Sequence, residues 1–188
     1  MSCFGSEVRR RTIAAVLGFA VVVLAVTSCS GPVAGDVPKC GQVERVALIA
    51  QSVPTTSYVP CISALQPGWS STGLHAQDGG TRFTLNSDRS RDHPVHVDLA
   101  RSCPVGTAAP IAPRTPGGRT YLSLRSIDPR YAGTMYDVFP GGCVSYRFDF
   151  ERGAHIPLMA QLQSIVGFVP RQQLRLDVQR QLGVRLDP

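Results

Sequence analysis

The chain is poor in lysine and lacks the short motifs of the common enzyme classes. Lys39 is the only lysine beside 18 arginines, so Schiff-base chemistry and a catalytic lysine base are excluded from the rest of the chain. The motifs G-x-S-x-G, H-E-x-x-H and S-x-x-K are absent, as is a glycine-rich phosphate loop with lysine. We therefore expect no catalysis, although a hydrolase assembled from scattered residues such as His75 and His155 is a second interpretation.

Charged and aromatic residues are also few, and the composition fits one globular domain. The 188 residues are 43% hydrophobic, 17% charged and 7% aromatic, which argues against disorder and against a polytopic membrane protein. The formal charge of +6 falls to +4 without the residues before Cys29, which include Arg9, Arg10, Arg11 and Glu7. The remaining arginines are spread along the chain, so we expect no nucleic-acid partner, because such a partner needs clustered cations.

The one long hydrophobic run is too short to cross a bilayer comfortably. Residues Ile13 to Val26 form 14 uninterrupted apolar residues, whereas a membrane-spanning helix needs roughly 20. Three arginines precede the run and small residues follow it, which is the pattern of an export signal. The sequence therefore predicts that the domain works outside the cytoplasm.

The residues at the end of this run, Val26-Thr27-Ser28-Cys29, resemble the lipobox of bacterial lipoprotein precursors. The resemblance implies that the signal is removed, that Cys29 becomes the new N-terminus and that its thiol carries a diacylglycerol. An uncleaved signal anchor is the alternative, and it leaves the domain on the same side of the membrane. The 18:1 ratio of arginine to lysine, with abundant Ala, Gly, Pro and Val, is typical of a GC-rich genome and favours an actinobacterial envelope lipoprotein.

Four cysteines remain once the signal and the lipobox are set aside. In an exported protein an even number of cysteines indicates disulfides, and four cysteines allow three connectivities. We favour Cys40–Cys61, which closes a loop around a predicted helix, and Cys103–Cys143, which can join two strands. Each disulfide is expected to stabilise the fold by about 2–4 kcal/mol. No cysteine or histidine pair has zinc-site spacing, so a structural role is the better interpretation.

The hydrophobic spacing divides the chain into a signal peptide (1–28), a lipidated N-terminus and tether (29–39) and a single extracytoplasmic domain (40–188). Within the domain, apolar residues three and four apart predict helices, and apolar residues that alternate with polar ones predict strands. The predicted helices lie at 43–53, 158–166 and 170–182, and the predicted strands begin near 69, 81, 95, 121, 135 and 144. We expect an α+β fold, in which an antiparallel sheet of five or six strands carries two or three helices on one face.

The residues 92–98 contain the densest group of metal-ligand types, with two histidines and two aspartates. On a strand, residues three apart point to opposite faces, so His93 and His96 are expected to diverge unless Pro94 bends the chain, while His96 and Asp98 share a face. Two ligands do not make a metal site. We therefore predict an ion-paired, solvated sheet face with no metal and no cofactor.

Two segments are candidate binding elements. The stretch 104–118 is predicted to be a long exposed loop, and the spacing of Pro110, Pro113 and Pro116 favours the polyproline II conformation that aromatic grooves recognise. A surface loop made rigid by proline is the simpler interpretation.

The last helix carries Arg171 and Arg175 beside an apolar stripe, and these cations could contact anionic lipid headgroups. Packing of an ordinary amphipathic helix on the sheet explains the same pattern.

The sequence thus predicts a non-catalytic binding or accessory module of the cell envelope. Its expected partners are the membrane, through the lipid on Cys29, and an envelope protein or ligand that the sequence does not identify. The alternatives are a small secreted hydrolase and a lipid-carrying envelope protein. The apolar stripes are about sufficient to fill one core, so we expect no large enclosed cavity.

Overall fold

The structure, a computed structural model, describes residues 33–90 and 93–186. Within these ranges the chain forms ten strands and three α-helices. In chain order they are β1 (Val33–Gly35), α1 (Val43–Ser52), β2 (Tyr58–Ile62), β3 (Trp69–Gln77), β4 (Gly80–Ser87), β5 (Val95–Ala100), β6 (Ala109–Ile111), β7 (Arg119–Ser126), β8 (Arg130–Phe139), β9 (Gly142–Glu151), α2 (His155–Ile165), β10 (Val166–Pro170) and α3 (Arg171–Leu182).

Eight strands form one antiparallel sheet in the order β1-β3-β4-β5-β9-β8-β7-β6. The first half, β3-β4-β5, and the second half, β6-β7-β8-β9, are each connected sequentially, and they meet where β5 pairs with β9. The disulfide Cys103–Cys143 lies at the end of this junction, next to the pairing of Ala100 with Cys143. The two halves of the sheet are therefore joined by both hydrogen bonds and a covalent bond.

Alternation of side chains gives this sheet one apolar and one polar face. Strand β5 is buried at Val95, Val97 and Leu99 and half-buried at the residues between them, and β9 follows the same pattern. The sharp turn between β8 and β9 depends on Gly141, whose φ is 75°. A Cβ atom at Gly141 would overlap the carbonyl oxygen of Thr55, so the turn packs tightly against the loop after α1.

The core lies on the apolar face and includes residues from all three helices. Fully buried side chains come from α1, α2 and α3 and from the inward positions of β4, β5 and β9; examples are Ile49, Leu162, Leu174, Phe83 and Tyr146. Each large aliphatic or aromatic side chain of this kind contributes about 1.5–3 kcal/mol when it is fully buried. The predicted α+β class and the three helices are confirmed, and Gly183 ends α3 in the left-handed conformation, with a φ of 67°.

The predicted strand count of five or six is too low. Four segments that we did not predict to be extended are strands: β1 pairs with β3, β6 pairs with β7, and β2 pairs with β10 in a separate two-stranded sheet. Each is short or contains proline, so the sequence pattern is weak, and each lies at an edge, where a missing N–H donor is tolerated. The expected tether 29–39 therefore already belongs to the fold from residue 33 onward, and Val37 is part of the core.

Leu182 continues the four-residue apolar spacing of Leu174 and Val178 in α3, but unlike them it is not buried and is 37% exposed. It is the last residue of α3, where the helix leaves the core. Among the described residues, none of the helices has the length and apolar content that a bilayer span requires.

Candidate functional site

The polar face of the eight-stranded sheet contains an open groove, which we call the sheet groove. Its larger part, about 630 Å³, lies over β3, β4, β5, β9 and β8, and its smaller part, about 310 Å³, reaches β7. The two parts share Thr134 and Arg147. The lining residues belong to the strands of the sheet or to the segments next to them. The sheet face that we predicted to be solvated is thus concave enough to accept a ligand.

Asp98 is the centre of the larger part of the groove. It lies on β5 between Arg82 on β4 and Ser145 on β9, and its carboxylate accepts hydrogen bonds from Arg82 Nε and, at 3.2 Å, from the Arg147 guanidinium. The side chains of Arg82 and Arg147 are 61% and 54% exposed. One carboxylate therefore holds two guanidinium groups in place, and both keep N–H donors directed to solvent.

Asp149 repeats this arrangement in the smaller part. Arg130 donates a hydrogen bond to its carboxylate at 2.5 Å, and the Arg125 guanidinium lies 3.7 Å away. Nδ1 of His93 lies 4.0 Å from the same carboxylate. The groove thus holds a second carboxylate that is shared by two arginines.

Three of the four potential metal ligands in 92–98, namely His93, His96 and Asp98, line this groove. Asp92 lies outside the described residues. His93 and His96 line the same part of the groove and do not diverge as predicted, because His93 precedes the strand, whose first residue is Val95. In the described part of the chain, no group of three or more His, Cys, Asp or Glu side chains is placed to hold a metal ion.

The proline-rich stretch is not the free loop that we expected. Residues 109–111, including Pro110, form strand β6 on the edge of the sheet, and Thr115 is buried. Pro110, Pro113 and Pro116 are exposed, and the carbonyl oxygen of Pro116 accepts a hydrogen bond from the Tyr58 hydroxyl at 3.0 Å. The stretch is therefore held to the body of the protein, with its prolines on the outside.

Arg114 is the residue that holds the stretch in place. Its guanidinium donates to the carboxylate of Asp137 at 2.7 Å and to the hydroxyl of Tyr146 at 3.0 Å. It also donates to the carbonyl oxygens of Gln163 at 2.6 Å and Val166 at 2.7 Å. These two carbonyls lie at the C-terminal end of α2, where the helix leaves acceptors unsatisfied and a cation is favourable. A single side chain thus joins the proline-rich stretch, the sheet and α2.

Burial sets the electrostatics of this cluster. Asp137 is 1% exposed, and the hydroxyl of Thr120 donates a second hydrogen bond to it at 2.7 Å. Burial raises the pKa of Tyr146 well above its usual value; the charge of Asp137 raises it further, while Arg114 lowers it. Burial lowers the pKa of Arg114, but the interactions with Tyr146 and Asp137 outweigh burial, so that its pKa is raised. The cluster contains a buried ion pair next to a neutral phenol. Its role is structural, because its contacts hold the proline-rich stretch, the sheet and α2 together.

Sequence reasoning missed this cluster, although one signal for it was present. Asp137 lies between Met135 and Phe139 at the inward positions of a predicted strand, and a carboxylate there requires a buried partner. The partner, Arg114, comes from a segment without periodicity, so the sequence does not identify it.

The two arginines proposed to contact lipid headgroups have different surroundings. Arg175 is exposed, as that hypothesis requires, but Arg171 is 8% exposed. The Arg171 guanidinium donates to the carbonyl oxygen of Ala50 in α1 at 2.9 Å, and its backbone N–H donates to Ser57. Arg171 therefore connects α3 to α1 and does not face a membrane surface.

Both predicted disulfides are formed. Cys40 bonds to Cys61 and Cys103 bonds to Cys143, with Cα–Cα distances of 4.9 and 6.1 Å. The first joins the segment before α1 to β2, and the second joins the segment after β5 to β9. Cys29, the predicted lipidation site, lies outside the described residues.

The histidines considered for a catalytic triad are separated. His75 lies on β3 and lines the sheet groove. His155 begins α2, where its ring stacks on Tyr131 with a centroid distance of 4.4 Å, and Tyr131 packs against the core on the other face. The structure therefore does not bring His75 and His155 into one site.

Comparison with known proteins gives no further assignment. No protein-family model, no curated protein and no solved structure matches this chain.

Proposed function

We propose that the protein is a lipid-anchored, non-catalytic binding module on the extracytoplasmic face of the cell membrane, and that the sheet groove is its ligand site. The helices lie on the opposite face, so that one side of the sheet forms the core and the other is free to bind. The observation that supports this proposal best is the sheet groove itself, where arginine, histidine and hydroxyl side chains from six strands line one open surface.

The location outside the cytoplasm rests on two independent features. The apolar run and the lipobox-like residues before Cys29 are the pattern of an exported lipoprotein. The two disulfides, Cys40–Cys61 and Cys103–Cys143, fit an oxidising compartment. Neither feature depends on the other, since one concerns the signal and the other the folded domain.

The proposed anchor would lie close to the sheet. Three residues lie between Cys29 and Val33, the first residue of β1, so the Cα atoms of Cys29 and Val33 are at most about 14 Å apart. Val33 pairs with Ala76 beside the turn between β3 and β4. A lipid on Cys29 would therefore keep this end of the sheet near the membrane surface, with the sheet groove to one side and open to the envelope.

A photo-crosslinking experiment with cells that express the full chain tests both parts of the proposal. A photoreactive amino acid is placed at Thr134, which lines both parts of the groove, or at Gln172, an exposed position on α3. We expect crosslinked adducts with an envelope ligand or protein from the Thr134 variant but not from the Gln172 variant. Both variants should be found in the membrane fraction. In a Cys29→Ser background the protein should no longer incorporate labelled fatty acid, and the adducts at Thr134 should decrease.

The outcomes test the binding surface and the lipid anchor separately. Adducts only at Gln172, or at neither position, would show that the sheet groove is not the binding surface. Equal fatty-acid incorporation with and without Cys29→Ser would refute the lipid anchor, whatever the crosslinking result.

A further inference from the structure

The charges of the sheet groove favour a particular chemical class of ligand. Among its lining residues, Arg82, Arg125 and Arg147 outnumber Asp98 and Asp149. Each carboxylate is shared by two guanidinium groups, and a guanidinium carries five N–H donors. The groove therefore has more cationic donors than its own carboxylates can satisfy.

The excess is concentrated in the middle of the groove. Arg130 lies opposite Glu151 where β8 begins and β9 ends, so the charge there is closer to balance. Arg147 lines both parts and is half exposed, with its guanidinium 3.2 Å from Asp98. An anionic group next to Arg147 would meet charge-assisted donors that Asp98 already holds in position, which lowers the entropy lost on binding.

Hydroxyl groups lie between the charged positions. Thr134, Ser145 and Ser123 line the floor of the groove beside Arg147, and Tyr136 adds an aromatic ring. Hydroxyl side chains both donate and accept hydrogen bonds, so they suit a ligand that is itself rich in hydroxyls. A purely apolar chain would leave these groups without partners.

The length of the groove indicates a polymer. Its lining residues come from β3, β4, β5, β9, β8 and β7, and five spacings between neighbouring strands extend about 24 Å. This exceeds the size of a single monosaccharide. An extended chain with repeated anionic groups can contact the arginines around Asp98 and the arginines around Asp149 at the same time.

From this combination we infer that the sheet groove binds an acidic polysaccharide of the envelope, whose anionic groups contact Arg147, Arg82 and Arg125 and whose hydroxyls contact Thr134 and Ser145. This inference rests on the proposed function, because it names the ligand class of the same site. It commits to a saccharide and not to a lipid headgroup, since the groove is an extended, hydroxyl-lined surface along the sheet.

Calorimetric titration of the full-length protein, purified in a neutral detergent, tests the inference. The probes are a decamer of galacturonate, a neutral glucan decamer of the same length, and the soluble short-chain lipid dihexanoyl phosphatidylglycerol. We expect the galacturonate oligomer to bind at least tenfold more tightly than the other two, and to bind more weakly as salt is added. Arg147→Gln should weaken its binding about tenfold, because a charge-assisted contact is lost. The matched control Arg175→Gln removes the same charge from α3 and should leave binding unchanged.

Several results would overturn the ligand class. These are absence of galacturonate binding, equal binding of the neutral glucan, tighter binding of the lipid, or equal effects of Arg147→Gln and Arg175→Gln. If crosslinking at Thr134 persists while the galacturonate oligomer does not bind, the groove is still a binding surface and the ligand class is wrong. If Thr134 gives no adduct, the proposed function itself is wrong.

Discussion

Replacement of Arg114 by methionine tests how much the buried ion pair with Asp137 contributes to the stability of the fold. It preserves much of the side-chain volume but removes the donors to Asp137 and to the two carbonyls at the end of α2. Asp137 stays 1% exposed, with the Thr120 hydroxyl still donating to it. The variant therefore leaves a buried carboxylate without its counter-charge.

The expected loss of stability is large. Removal of one partner from a buried ion pair costs about 3–5 kcal/mol, because the remaining charge is desolvated without compensation. For a protein of this size each kcal/mol lowers the melting temperature by about 2–4 °C, so a decrease of about 6–20 °C is expected. The matched control is Arg101→Met, since Arg101 pairs with Asp78 at the surface, with side chains 60% and 91% exposed. Such a pair contributes about 0–1 kcal/mol.

Urea denaturation under non-reducing conditions, followed by circular dichroism, measures both variants against the wild type. The double variant Arg114→Met/Asp137→Leu should regain most of the lost stability, because apolar replacement of a buried ion pair is often neutral or stabilising. The reasoning would be refuted if Arg114→Met cost no more than Arg101→Met. It would also be refuted if removal of Asp137 failed to rescue the variant.

Two further predictions follow from buried polar side chains. Because burial raises the pKa of Tyr146, the native state holds a phenolic proton that the unfolded chain releases above about pH 10, so stability is full below that pH and falls above it by up to about 1.4 kcal/mol per pH unit. Tyr146→Phe should flatten this decrease in denaturation measured between pH 9 and 11, and an unchanged slope would contradict the assignment. Arg171→Met should cost about 1–3 kcal/mol in urea denaturation, because a buried hydrogen bond to Ala50 is lost, whereas Arg175→Met should change stability by less than about 0.5 kcal/mol. Equal effects of the two variants would show that Arg171 is not a structural connection.

Local patterns in the sequence determined the elements that have strong periodicity. The alternation of Val95, Val97 and Leu99 predicts β5, and the hairpin of β8 and β9 follows from two alternating runs around a turn that contains Gly141. The helices follow from apolar residues three and four apart, and their ends from proline and glycine. The pairing of the cysteines could also be predicted, because Cys40–Cys61 closes a loop around a predicted helix and Cys103–Cys143 can join two predicted strands. All of these depend on neighbouring residues, which a sequence displays directly.

Only the tertiary structure decided which strands are neighbours and which side chains share a site. The pairing of β5 with β9 joins residues about 50 positions apart, and β1, β2, β6 and β10 exist because another strand offers them hydrogen bonds. Arg114 meets Asp137 across 23 positions, and the sheet groove combines residues from six strands. Such contacts depend on long-range pairing and on a common core, and these cannot be read from the local pattern. The sequence therefore determined that one sheet face would be polar, while the order of the strands decided that its arginines, aspartates and hydroxyls form one groove.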